Sequence, residues 1–160
     1  MVNQPKPMLR TQCRKAGKWM LIGGFRCVVD VKGRLNFPAK LRGDLGSTFI
    51  ITKALGERCI DVYSLEEWKK KSEKISTLPM KKARELGRVF FANATEVEPD
   101  KQGRIVIPQE LREYAQLDKE VRVVGVSDHC EIWDLASWQT LYQEGDSPEE
   151  ISALLEELDL

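Results

Sequence analysis

Short runs rich in β-branched and aromatic residues, each closed by Gly, Asp, Asn or Pro, fill most of the chain and fall into two similar sets. The first set predicts strands over roughly 24–29, 34–37, 47–53 and 59–63, and the second over 95–98, 104–107, 120–126 and 130–133. In each set the second run leads to a proline, Pro38 or Pro108. A first helical residue tolerates a missing N–H, so a short helix is expected after each. Helical spacing takes over between the sets. Ser64-x-x-Glu67 is a capping box opening a helix with Leu65, Trp68 and Ile75 on one face, and Pro79 begins a second with Met80, Ala83, Leu86 and Phe90 in step. Near the end, Ser147-x-x-Glu150, with Pro148 at the first helical position, precedes Ile151, Leu154, Leu155 and Leu158. That stripe, on an otherwise acidic helix, suits packing on its own chain or contact with a neighbouring subunit.

The two sets are copies. A shift of 70 residues aligns Asp30-Val-Lys-Gly-Arg34-Leu-Asn-Phe-Pro38-Ala-Lys-Leu41-Arg42 with Asp100-Lys-Gln-Gly-Arg104-Ile-Val-Ile-Pro108-Gln-Glu-Leu111-Arg112, six positions of thirteen being identical. The same offset carries Ile60-Asp-Val62-Tyr63-Ser-Leu65-Glu-Glu-Trp68 onto Cys130-Glu-Ile132-Trp133-Asp-Leu135-Ala-Ser-Trp138. A unit of about 45 residues buries too little apolar surface to stand comfortably alone, so the copies are expected to pack about a pseudo-two-fold axis into one mostly β core. The expected organisation is a basic extension over 1–19, a first unit over 24–66, a helical linker over 67–94, a second unit over 95–138 and the C-terminal helix over 139–160.

Composition narrows the function. Hydrophobic residues make 42% and charged ones 31% of 160 residues, with 25 basic against 25 acidic side chains, so a nucleic-acid site must be local. Charge is nevertheless graded. Residues 1–20 carry five bases and no acid, whereas 144–160 carry seven acids and no base. The four cysteines include no Cys-x-x-Cys pair and there is one histidine. A structural zinc or a disulfide framework is therefore not expected. Gly23, Gly24 and Arg26 cut the apolar stretch after Trp19 short of a signal peptide, and no run reaches the ~20 residues that span a bilayer. A cytosolic protein without a membrane partner is the expectation.

In Asp30-Val-Lys-Gly-Arg34, Gly33 allows a tight turn with positive φ, which leaves Lys32 at the tip and Arg34 on the outgoing strand. The aspartate is close enough to hold the guanidinium. An exposed hairpin ion pair of this kind is worth only about 0–1 kcal/mol. Its repetition as Asp100-Lys-Gln-Gly-Arg104 is what points beyond local structure.

At this doubled motif the sequence resembles the MraZ family and, more broadly, the AbrB and SpoVT type of swapped-hairpin DNA-binding domain. Phe37-Pro38-Ala-Lys, Val62-Tyr63-Ser-Leu65-Glu-Glu-Trp68, Arg88-Val-Phe90-Phe91-Ala-Asn-Ala-Thr-Glu96, Val124-Gly-Val126 and Glu131-Ile132-Trp133 extend the resemblance over about residues 20–160. It implies a mostly β, α+β fold of two AbrB-like units forming a double-split β-barrel. It also implies a cytoplasmic, nucleoid-associated transcription regulator of the bacterial division and cell-wall gene cluster that includes its own gene. Members of the family bind short direct repeats in double-stranded DNA as ring-shaped homo-oligomers. They typically begin near the equivalent of Met20, so Met20 is the expected start and 1–19 a gene-model extension; a disordered basic arm gripping phosphates is the alternative.

On this reading Arg34 and Arg104 contact bases or phosphates, since a guanidinium presents two donors to guanine O6 and N7. Lys32 and Lys101 contact phosphates, Asp30 and Asp100 position the arginines, and Gly33 and Gly103 make the turns. Arg26, on the incoming strand, is a further DNA contact. Arg42 and Arg112 are expected in intramolecular or intersubunit pairing, and Tyr63, Trp68, Trp133 and Trp138 in the core.

An enzyme is not expected. His129-Cys130 is the only suggestive pair, and neighbours on a strand point to opposite faces. No phosphate-binding glycine loop or metal-ligand spacing occurs, so no cofactor, catalytic residue, metal or small-molecule substrate is assigned. The competing reading is an AbrB-like protein-interaction or antitoxin-type module whose DNA binding is secondary.

Overall fold

A computed structural model of the chain describes residues 20–145 and 147–159. The expectations for 1–19 fall outside the described residues. The first repeat contributes β1 (Gly24–Val28), β2 (Arg34–Asn36), α1 (Ala39–Leu45), β3 (Phe49–Lys53) and β4 (Ile60–Ser64). Two helices follow, α2 (Leu65–Ser76) and α3 (Met80–Phe90). The second repeat contributes β5 (Thr95–Val97), β6 (Arg104–Val106), α4 (Gln109–Tyr114), β7 (Glu120–Gly125) and β8 (Cys130–Asp134), before α5 (Leu135–Gly145) and α6 (Pro148–Glu157). Ser64 Oγ and Ser147 Oγ accept from the Glu67 and Glu150 N–H groups at 3.2 Å, which starts α2 and α6 where the capping sequences lie. Among the described residues no helix is long and apolar enough to cross a membrane.

The repeats are interleaved strand by strand. The first strand of each pairs antiparallel with the third strand of the other, β1 with β7 and β5 with β3. β4 pairs with β8 and β2 with β6. The result is a six-stranded sheet in the order β1-β7-β8-β4-β3-β5 and a two-stranded ribbon of β2 and β6. An approximate two-fold axis passes between Asp61 and Glu131 in the sheet and between Leu35 and Ile105 in the ribbon, each of them a pair in register.

The fold is α+β, and the described strands form no closed barrel. β1 and β5 stand at opposite edges of the sheet. The three-residue β2 and β6 take each other as partners, and the Val29–Leu35 bridge is their tie to β1.

The ungapped offset of 70 also hides a slip. Phe25 pairs with Val123 and Thr95 with Ile51; Phe25 and Thr95 are 70 apart in sequence, whereas Ile51 and Val123 are 72 apart. The loop 126–129 before β8 is two residues shorter than its counterpart 54–59 before β4, which restores the offset. Packing sets the equivalence here, because a slip of two keeps every side chain on its face.

One face of the sheet packs against the ribbon, α1 and α4 through Phe49, Ile51, Ile60, Val62, Val121, Val123 and Ile132, with Leu35, Ile105, Leu41 and Leu111 opposite. The other face is covered by the helices that the chain inserts between and after the repeats. Tyr63 packs with Ile75 and Phe90, and Trp133 with Cys59, Val124 and Trp138. β3 and β4 are covered on both faces, so nearly every residue of each is buried, the polar Thr52, Asp61 and Ser64 included. Leu65 and Met80, each the first residue of its helix, are exposed although they share the apolar spacing of α2 and α3.

Candidate nucleic-acid interface

β2 and β6 are too short to bury both faces. Leu35 and Ile105 point into the core, so alternation sends Arg34, Asn36, Arg104 and Val106 to the outer face. In register, Arg34 stands opposite Val106 and Asn36 opposite Arg104. The two motif arginines thus share one solvent-facing surface across the approximate axis.

Each turn feeding this ribbon has the same construction. Asp30 Oδ1 accepts from the backbone N–H groups of Lys32 and Arg34 at 2.9 Å, and Oδ2 accepts from Arg34 Nε at 2.7 Å. Asp100 does the same for Gln102, Arg104 and Arg104 Nε, all at 2.9 Å. These donors, the Arg34 and Arg104 N–H groups foremost, hold both carboxyls below the usual aspartate range. The aspartate takes Nε of each partly exposed arginine, which leaves the Nη groups free of that carboxylate to donate to a ligand.

The glycines are required by their surroundings. Gly33 and Gly103 have φ of +81° and +83°, and a Cβ on either would meet an arginine of the other repeat, Arg112 or Arg42. Arg42 Nε donates to the Phe37 carbonyl at 3.1 Å and Arg112 Nε to that of Ile107 at 3.0 Å. Phe37 and Ile107 in turn donate their N–H groups to the carbonyls of Gly103 and Gly33. The expectation of intramolecular pairing for Arg42 and Arg112 therefore takes a definite form: each clamps the opposite turn.

The remaining candidates divide. Lys32 and Lys101 are exposed in the two turns. Arg26 lies on β1 in the six-stranded sheet, away from the ribbon strands, and its guanidinium pairs with Glu120. The structure does not bring it together with Arg34 and Arg104 on the ribbon face.

A second polar cluster lies where β4 meets β8. Asp61, paired with Glu131, accepts from Tyr63 Oη at 3.0 Å, and Glu131 accepts from Trp133 Nε1 at 2.9 Å. His129 lies between carboxylates, 3.1 Å from Glu131 and 2.6 Å from Asp128, with its ring stacked on Tyr63. Burial pushes the Asp61 carboxyl up to about 6. Burial would depress His129, but Glu131, Asp128 and Asp61 hold it up at about 9, so it is a cation at neutral pH. Cys59 Sγ and oxygens of Asp61 and Glu131 lie within 4.8 Å of one another. Both carboxylates already accept from side chains of the protein, so the cluster reads as a charge network at the seam. Residue spacing gave no hint of it, since Asp61 and Glu131 meet only through the β4–β8 register. His129 and Cys130 face opposite sides, as strand alternation requires: His129 on Tyr63, Cys130 in the core.

Comparison with known proteins bears on the whole chain. The family model described as "MraZ protein, putative antitoxin-like" matches residues 20–88 and again 90–157. A protein of Caldicellulosiruptor saccharolyticus named "Transcriptional regulator MraZ" is 51% identical over 142 residues, covering 87% of this chain and 99% of the relative. Another of the same name, from Thermoanaerobacter pseudethanolicus, is 48% identical over 144 residues, covering 88% of this chain and all of the relative. With the doubled Asp-x-x-x-Arg turn matched by a doubled family match, the chain belongs to the MraZ family.

Proposed function

We propose that this chain is a transcriptional regulator that binds double-stranded DNA through the outer face of the β2–β6 ribbon. The observation that carries the reading is the pair of aspartate-held arginines, Arg34 and Arg104, of equal construction on one exposed surface. A two-stranded ribbon is of a size to enter the major groove, where an arginine fork matches guanine. Lys32 and Lys101 add phosphate contacts from the turns. The relatives' name supports regulation of transcription and is not that of an enzyme.

The finer reading follows the family resemblance. The target is short direct repeats upstream of the division and cell-wall gene cluster that includes the protein's own gene. The protein acts in the cytoplasm at the nucleoid, as a ring-shaped homo-oligomer. A near-neutral subunit offers few phosphate contacts, so its lone affinity is modest, and tandem subunits on tandem sites raise the effective concentration. The stripe of α6 suits this assembly: Ile151, Leu154, Leu155 and Leu158 are all exposed, and no residue of α6 is buried against its own chain.

Labelled DNA from upstream of the protein's own gene, titrated against a scrambled duplex, tests the proposal. Tighter binding to the upstream DNA is expected. Equal weak binding to both would move the reading to a protein-interaction module of the antitoxin type, which the family's description also names.

A further inference from the structure

The approximate two-fold axis makes the reading face almost symmetric, and the positions where it fails are informative. A shift of 70 residues maps Arg34 onto Arg104 but Asn36 onto Val106. The ribbon register puts Arg34 beside Val106 at one end and Arg104 beside Asn36 at the other. Partners in register on one face hold their Cβ atoms about 5 Å apart, between one and two of the ~3.4 Å steps that separate successive base pairs of a duplex. Each arginine can therefore share a neighbouring base step with its partner.

Among the described residues, no contact accounts for the two unlike side chains. Val106 is 57% exposed in the middle of a strand. Asn36 is exposed, and among the described residues its side chain has no hydrogen-bond partner. Their chemistry differs in a way that base edges distinguish. An amide matches adenine N6 and N7, whereas an aliphatic group matches the thymine methyl and offers adenine nothing.

We infer that Asn36 and Val106 are specificity-determining residues that give the reading face a direction, Arg104 with Asn36 reading a guanine and a nearby adenine, and Arg34 with Val106 a guanine and a nearby thymine. The inference rests on the proposal that this ribbon reads DNA. A face with asparagine at both positions would read a site with two equivalent halves. The face as it stands requires unequal halves, so each bound subunit has a fixed orientation on the duplex.

The test is selection of binding sites from a random double-stranded DNA pool by the full chain, beside its Asn36→Val and Val106→Asn variants. The wild type is expected to enrich a site with unequal halves. Asn36→Val should lose about tenfold in preference for one adenine, with the rest of the site unchanged. Val106→Asn should exchange a thymine preference for adenine in the other half, making the halves alike. The thermal transition and the mass in solution of each variant, set beside those of the wild type, report that it folds and assembles. An enriched site whose base preferences stay the same in both variants overturns this inference alone. Failure of the wild type to enrich any site overturns the DNA-reading proposal and the inference with it.

Discussion

The guanidinium of Arg42, carried by the helix of the first repeat, lies against the backbone of Gly103 in the turn of the second, so closely that a Cβ at position 103 would sit 2.6 Å from Cζ. Arg112 and Gly33 repeat the relationship at 3.0 Å. Each Asp-x-x-x-Arg turn is thereby held by the other half of the chain.

Gly103→Ala should accordingly cost more than its small change in volume implies. The φ of +83° puts alanine in a region about 1–2 kcal/mol unfavourable for a residue with a Cβ, and Arg42 must also move. Urea denaturation should give a loss of about 1–3 kcal/mol. In an Arg42→Ala background the same substitution should cost less; additive losses would mean that the two residues do not interact.

Removing a negative charge from a DNA-binding face ordinarily strengthens binding. Asp30→Ala should do the opposite, because Asp30 fixes the turn and the Arg34 fork through three hydrogen bonds. A loss of about 1–2 kcal/mol in affinity for the upstream DNA is expected, within the range for a specific arginine contact. Tighter binding by the variant, measured by fluorescence anisotropy, would show that the aspartate does no positioning.

The seam between β4 and β8 should make stability depend on pH. His129 is held at about 9, above its ordinary ~6.5, so its contribution is fully present below pH 6.5 and is lost as pH rises through 9. Asp61, raised to about 6, acts in the same direction at lower pH, because its folded form prefers the proton. The groups facing His129 are Asp61, Glu131, Asp128 and Tyr63, with Lys71 of α2 a smaller influence on Asp61. Stability should fall between pH 6.5 and 8.5 by on the order of 1 kcal/mol, after allowance for screening. His129→Gln should flatten that slope. An equal slope in the variant would assign the dependence elsewhere.

The acidic helix α6 should matter for assembly and not for folding. Deleting residues 145–160, or introducing Leu154→Asp with Leu158→Asp, should lower the mass in solution while leaving the thermal transition of the core in place, since these leucines are 51% and 64% exposed. Unchanged mass by light scattering would remove α6 from the subunit contact.

Much of this architecture is legible in the sequence because it is written twice. The Asp-x-x-x-Arg turn, the proline-opened helix and the aromatic close of each repeat all recur at one offset, so strand positions and the paired arginines follow directly. What the offset cannot convey is which strand pairs with which. The interleaving of β1 with β7 and of β3 with β5 is a long-range outcome, and the two-residue slip of β7 cancels itself before β8. For the same reason the clamp of Arg42 on Gly103 and the meeting of Asp61 with Glu131 are invisible along the chain. Leu65 and Met80 show the converse limit: helical spacing puts a residue on the apolar face, but whether a first-turn residue is covered depends on what packs there.

On the proposed function, Arg34 and Arg104 act together on DNA. This is tested most directly by titrating the upstream DNA with the wild type and with the Arg34→Ala, Arg104→Ala double variant over a salt series, after checking that both fold and assemble alike. Strong, salt-dependent binding by the wild type and its loss in the double variant are expected, with each single variant costing about 1–3 kcal/mol. Undiminished affinity in a folded, assembled double variant would contradict it.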